Sequence, residues 1–313
     1  MINNSAGGIV NNDDYIDEDV AYLIGLLTAK GKLIEVEDNR RLIIDFPFIN
    51  LTTRAPRKSG IDYIVPDKIK IGLFDIQSRL HELLGEEVFL EESANSIHFV
   101  VKFDRNTMVW RNIKTIFQGK ENYHEFEINP VFYQLPMSIQ SSFVRGFADA
   151  ASMPSVKDAD QIKRHRVVLQ FSHSNWNLPV QMCRLLQENL NIKVLHILYG
   201  HPSMGRGFRE HRMRIYPEEF IKIGYGFNFK QDILRALLED NLAKFQNNIK
   251  QCNPKTKKVT QKKDKNIDEK NDRLPTHLRK HFNTYWQICK VCGCKQGKKI
   301  SQDELILDGN DEN

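Results

Sequence analysis

Two short stretches, YLIGLLTAKGKL at residues 22–33 and FVRGFADAAS at residues 143–152, carry the strongest constraint in the chain. They align at Gly25 with Gly146, Leu26 with Phe147 and Ala29 with Ala150. Residues four apart share one face of a helix. Each stretch therefore predicts a helix with a stripe of small side chains, Gly25 and Ala29 in one, Gly146 and Ala150 in the other. Glycine inside a helix costs about 1 kcal/mol relative to alanine. Two matched cases need a reason, and the direct one is that the two helices pack face to face at close range.

The surrounding pattern repeats with them. Helical spacing predicts helices over residues 17–29, 69–84 and 108–117, with alternating hairpins over 32–46 and 87–103. In the first hairpin Ile34 and Val36 alternate with Glu35 and Glu37. The same order restarts with helices over 138–150, 178–190, 217–223 and 230–245 and strands over 165–173, 193–199 and 209–215. An internal repeat of this length implies an α+β fold of two similar halves packed as a pseudo-dimer. The expected divisions are a flexible lead-in (1–16), a first half (17–130), a second half (131–249), a lysine-rich linker (250–273) and a small helical C-terminal module with its tail (274–313). One such chain, with its two halves in tandem, is expected to be a monomer.

The chain's 41% hydrophobic and 27% charged residues are those of a globular protein able to bury a core. No apolar run approaches the roughly 18 residues of a membrane span, so no membrane partner is expected. The N-terminal stretch has neither the basic nor the apolar region of a signal peptide. Five cysteines in 313 residues do not make a disulfide scaffold. The expectation is an intracellular protein, cytoplasmic or nucleoid-associated. A net charge of +5 is a weak sign of nucleic acid by itself, but the positive charge clusters in KRHR at 163–166, RGFREHRMR at 206–214 and the lysine-rich linker.

The paired glycine helices, their separation and the element order of each half resemble the LAGLIDADG homing endonucleases in their single-chain, two-motif form. The resemblance covers roughly residues 17–245. It implies two αββαββα halves, joined at the motif helices, whose sheets form a saddle over double-stranded DNA. In active members an acidic residue ends each motif helix, and the two carboxylates hold the divalent metals that activate water. Here those positions are Lys30 and Ala151. A lysine repels Mg²⁺ and alanine offers it no oxygen. Asp149 stands two positions earlier, where the family's residue is mainly structural, with Thr28 as its counterpart. The resemblance thus implies a DNA-binding scaffold with its catalytic positions degenerate and no cofactor expected.

The resemblance also places the DNA on the sheet faces opposite the helices. In the second half Val167, Leu169, Phe171, Met213 and Ile215 form the helix-facing set. Arg164, Arg166, Gln170, Ser172, Arg212 and Arg214 are then the groove-facing candidates, since arginine and glutamine can make paired hydrogen bonds to guanine and adenine edges. Arg206 and Arg209, in or beside a long turn, are phosphate candidates. In the first half the corresponding face is mixed, with Glu35, Glu37, Arg41, Asp45, His98 and Lys102. Its phosphate candidates are Arg54, Arg57 and Lys58 in the loop TTRAPRKSG.

Near the C-terminus His277, His281, Cys289, Cys292 and Cys294 leave two readings open. His281 with Cys289, Cys292 and Cys294 could hold a structural zinc, or the segment is a short amphipathic helix with buried cysteines. Two other functions also stay open. One is a site-specific endonuclease, of homing or restriction type, that uses Mg²⁺ through other ligands or gains them from a partner protein. The other is an RNA-binding splicing cofactor, because RNA can be recognised by shape.

Overall fold

A computed structural model describes residues 16–37, 39–51, 66–155, 165–198 and 210–251. Asp17 caps the first helix, α1 (Glu18–Lys30), by accepting from the Val20 amide at 2.8 Å, and Glu18 and Asp19 complement the positive helix end. The chain continues without a loop into β1 (Gly31–Val36), then β2 (Asn39–Pro47) and a helical turn, α2 (Phe48–Leu51). The rest of the first half is α3 (Pro66–Leu84), β3 (Val88–Glu92), β4 (Ser96–Phe103) and α4 (Met108–Ile116). The second half repeats this order with α5 (Met137–Ala151), β5 (Ser152–Ser155), β6 (Arg166–Phe171), α6 (Asn177–Arg184), β7 (Val194–Leu198), β8 (His211–Ile215), α7 (Pro217–Phe220) and α8 (Asn228–Gln251).

Each half contains one antiparallel four-stranded sheet, ordered β1-β2-β4-β3 in the first and β5-β6-β8-β7 in the second. The two orders match strand for strand, so the repeat seen in the sequence is a repeat of topology. The α+β fold is LAGLIDADG-like in this sense, two ββαββ sheets each led by a glycine-bearing helix. Sequence periodicity finds no strand at β5, which is only four residues long and holds Pro154. It is an edge strand, where a missing amide donor is tolerated. The helix expected over 178–190 changes at Leu185 into a single π turn, Leu185–Asn189.

The halves meet where α1 crosses α5. A side chain added at Gly25 would overlap the Phe143 carbonyl oxygen and stand 2.8 Å from the Phe147 nitrogen. One added at Gly146 would overlap the Tyr22 carbonyl and stand 3.2 Å from the Leu26 nitrogen. The contact is reciprocal, each glycine meeting the residue three positions before the other, as a two-fold interface requires. Ala29 and Ala150 lie buried one turn further on. Leu42, Ile44, Phe99 and Val101 of the first sheet and Val167, Leu169, Met213 and Ile215 of the second are fully buried in one continuous core with the helix pair.

Because α1 and α5 touch backbone to backbone, the smallest added side chain should separate them. Gly146→Ala is expected to cost about 3 kcal/mol or more by overpacking, read from denaturant unfolding. Unchanged stability would show that the helices can move apart freely.

Candidate functional site

Register decides which side chains each sheet turns away from the helices. In the first sheet Gly31 pairs with Ile44 and Ile44 with Phe99, while Leu33 pairs with Leu42 and Leu42 with Val101; this is the core face. The opposite face is built from rows. Asp45 pairs with His98 and His98 with Glu91 in the row nearest the helix ends. The next row is Lys32, Ile43, Val100 and Phe89, and the third is Ile34, Arg41 and Lys102. Arg41 and Lys102 therefore stand side by side on this face, Lys102 exposed and Arg41 half-buried.

Glu35 and Glu37 are corrections to the sequence reading. Glu35 shares the parity of Leu33 and pairs with Arg40, whose Nε donates to it at 2.9 Å; Lys114 of α4 also bonds it. The Lys114 and Arg40 contacts hold its carboxyl below the usual value. Glu37 is the turn residue, with φ of 53°. Ile34 and Val36 take the outward face instead, at 37% and 62% exposure. Alternation gives a strand's period but not its sense, and here Glu35 of β1 found its partners, Arg40 and Lys114, on the helix side.

In the second sheet Val167, Leu169 and Phe171 pair with Ile215, Met213 and His211 on the core face. Gln170 pairs with Arg212 and Val168 with Arg214 on the other. Arg212 and Arg214 are half-buried, whereas Arg166, Gln170 and Ser172 are only 4–6% exposed. Among the described residues Arg212 Nε finds no hydrogen-bond acceptor. Ser172 lies past the end of β6 and is a turn residue, its hydroxyl bonded to His124 Nδ1 at 2.6 Å and to Ser174 Oγ at 2.8 Å. Arg54, Arg57, Lys58, Arg164, Arg206 and Arg209 lie outside the described residues, as do His277, His281, Cys289, Cys292 and Cys294 with their zinc reading.

The helix ends sit between the two central rows. Lys30 is 6% exposed and its Nζ lies 3.5 Å from Glu210 Oε1, just before β8, and 5.0 Å from the Tyr123 ring centre. Tyr123 belongs to the segment joining the halves, which is tied to the edge of β1 by Tyr123 N–H to the Gly31 carbonyl at 2.9 Å and Leu33 N–H to the Glu121 carbonyl at 2.7 Å. Burial first, then the Asp45 and Glu210 charges, raise the Tyr123 phenol above its ordinary value. Burial and the positive charge of Lys30 lower the His124 imidazole. Sequence reasoning missed Glu210, Tyr123 and His124 because no motif or period marks them; only folding brings them to Lys30.

Asp149 is fully buried and its carboxylate is spent. Oδ2 accepts from the Tyr22 hydroxyl at 2.7 Å and the Gly226 amide at 2.8 Å, and Oδ1 from the Phe227 amide at 3.3 Å. Lys230 of α8, 1% exposed, donates to the Asp149 and Ser152 carbonyl oxygens at 2.6 and 3.0 Å. Burial raises the Asp149 carboxyl, opposed first by the Lys230 charge, and burial lowers Lys230 to about 8. These residues fasten α8 to the end of α5.

The residues at the helix ends do not suit Mg²⁺. Lys30 brings a cation, Ala151 brings no ligand, Asp149 is fully engaged and Glu210 is paired with Lys30. Among the described residues no group of three or more His, Cys, Asp and Glu is placed to hold a metal ion. Also among them, no helix is long and apolar enough to cross a membrane.

No family model matches the chain, and no curated protein matches it. Solved structures do. The crystal structure of I-DmoI in complex with DNA and Mn is similar over 66% of this chain and 93% of that one, with 16% identity and a TM-score of 0.37. The N-terminal LAGLIDADG domain of DUF199/WhiA is similar over 74% and 86%, with 10% identity and a TM-score of 0.38. Full-length DUF199/WhiA from Thermatoga maritima is similar over 89% and 82%, with 10% identity and a TM-score of 0.41.

Two stability measurements test the buried groups. Lys230→Met leaves Asp149 without its countercharge and is expected to cost about 3–5 kcal/mol, seen as a lowered denaturation midpoint. His211, fully buried with its ring edge-on to Trp176, is lowered by burial from 6.5 to about 4. The unfolded chain binds the extra proton between those values. Its contribution is therefore complete above pH 6.5 and is lost as pH falls toward 4, on the order of 3 kcal/mol in all. The melting temperature should fall over that window, and His211→Phe, which keeps the ring contact, should flatten the fall.

Proposed function

We propose that the chain binds double-stranded DNA sequence-specifically through the two sheet faces turned away from the helix pair, and that it does not cut it. Its role is recognition, in regulation or within a larger complex. The observation that carries this reading is the second sheet, where Arg212 and Arg214 stand half-buried in adjacent rows of the face turned from the core. Such side chains are suited to paired hydrogen bonds with base edges. Arg41 and Lys102 add positive charge on the matching face of the first sheet.

The binding part of the site and the former catalytic part are separate. Arg212 and Arg214, both half-buried, can meet a duplex whatever ends the helices. Lys30 offers it a cation at the midpoint, where a phosphate would compete with Glu210. Lys30 repels a divalent cation and Ala151 offers it no oxygen, so the helix ends do not suit a metal-activated water. The chain's residues therefore position and neutralise a duplex, and among the described residues none at the helix ends is placed to activate water against it.

Selection from a random duplex pool tests the reading. Binding to the selected duplex should weaken at least tenfold between about 50 and 200 mM salt as counterions are released. Arg212→Ala should relax preference at particular base pairs by about 1–3 kcal/mol each. The duplex should remain intact after long incubation with Mg²⁺ or Mn²⁺. Failure to select any duplex would sink the binding reading, and metal-dependent double-strand cutting by the protein alone would sink the inactive one.

A further inference from the structure

The two sheets present different chemistry at equivalent positions. Counting outward from the helix ends, the second row holds Lys32, Ile43, Val100 and Phe89 in the first sheet, where the second sheet holds Met153, Val168, Arg214 and His196. Beyond that row stand Ile34 and Val36. Phe89, Ile34 and Val36 are 38%, 37% and 62% exposed on the face that turns away from the core. Solvent-facing rows of a half-buried sheet are normally polar, so the exposed apolar side chains Ile34, Val36 and Phe89 on this face need an occupant.

We infer that the first sheet reads thymine methyl groups through Ile34, Val36, Ile43 and Phe89, so that the two halves recognise half-sites of different composition. This rests on the DNA-binding reading above. Apolar side chains cannot hydrogen-bond to base edges, and the apolar group a base displays in the major groove is the thymine C5 methyl. Four strands spaced about 4.8 Å apart span about 14 Å, comparable with a major groove of about 12 Å. The surroundings favour a duplex over a protein. Lys32, Arg41 and Lys102 are interleaved with the apolar residues, and Lys102 Nζ lies 5.2 Å from the centre of the Phe89 ring. Cores of protein interfaces are depleted of charge, lysine above all, whereas cations beside base-reading residues are what phosphates require. The Asp45–His98–Glu91 row nearest the helix ends keeps these apolar residues away from the midpoint.

The test removes only methyl groups. The full chain is bound to its selected duplex, and thymine is replaced by uracil in one half-site at a time. In the half-site under the first sheet each replacement should weaken binding roughly fourfold, the worth of one buried carbon, while the other half-site should tolerate it. Ile34→Ser with Phe89→Ser, both at exposed positions, should bind more weakly and lose sensitivity to uracil, with an unchanged melting temperature. A selected duplex bound in a salt-dependent way but indifferent to uracil in both halves would overturn this inference and leave DNA binding standing. So would a double variant with the wild-type base preference, which would return these apolar side chains to a protein partner. If no duplex is selected at all, both fall together.

Discussion

Everything in this molecule hangs on two backbones touching. At Gly25 and Gly146 the helices are so close that a single methyl has no room. That closeness fixes where the two sheets stand, because β1 starts at the residue after α1 ends and β5 at the residue after α5 ends. The helices thus set the register of both sheets relative to a shared centre. Matching rows of the two faces can be compared position by position only because of this.

The same junction holds the helix ends in place. Asp149 is a structural group, because Tyr22 reaches it across the helix contact and Lys230 closes on it from α8. A buried carboxylate with its countercharge beside it is expensive to break even where it adds little net stability. Lys30 and Glu210 form the corresponding feature on the sheet side. An ion pair at the midpoint keeps a cation there without a metal.

Asymmetry is the other consequence. A pseudo-two-fold backbone does not oblige the two faces to carry the same side chains. Asp45 and His98 occupy in the first sheet the row that Gln170 and Arg212 occupy in the second, and Lys32, Ile43, Val100 and Phe89 occupy the row of Val168 and Arg214. One scaffold thereby carries two unlike surfaces joined at a fixed geometry.

Much of the architecture was legible in the sequence. Glycines inside two matching helices are costly without a close partner, and apolar periods of about 3.6 and 2 report helices and strands directly. The α+β class, the repeat and nearly all the elements follow from those local signals. β5 escaped because four residues with a proline carry too little period to read. The facing of β1 escaped for a different reason, since alternation is indifferent to which side is buried, and only the Arg40 and Lys114 partners of Glu35 decided it. The pairing of Lys30 with Glu210, the engagement of both Asp149 oxygens and the burial of Arg166 and Gln170 join residues far apart in the chain. Such contacts leave no local period, so the tertiary structure alone could determine them.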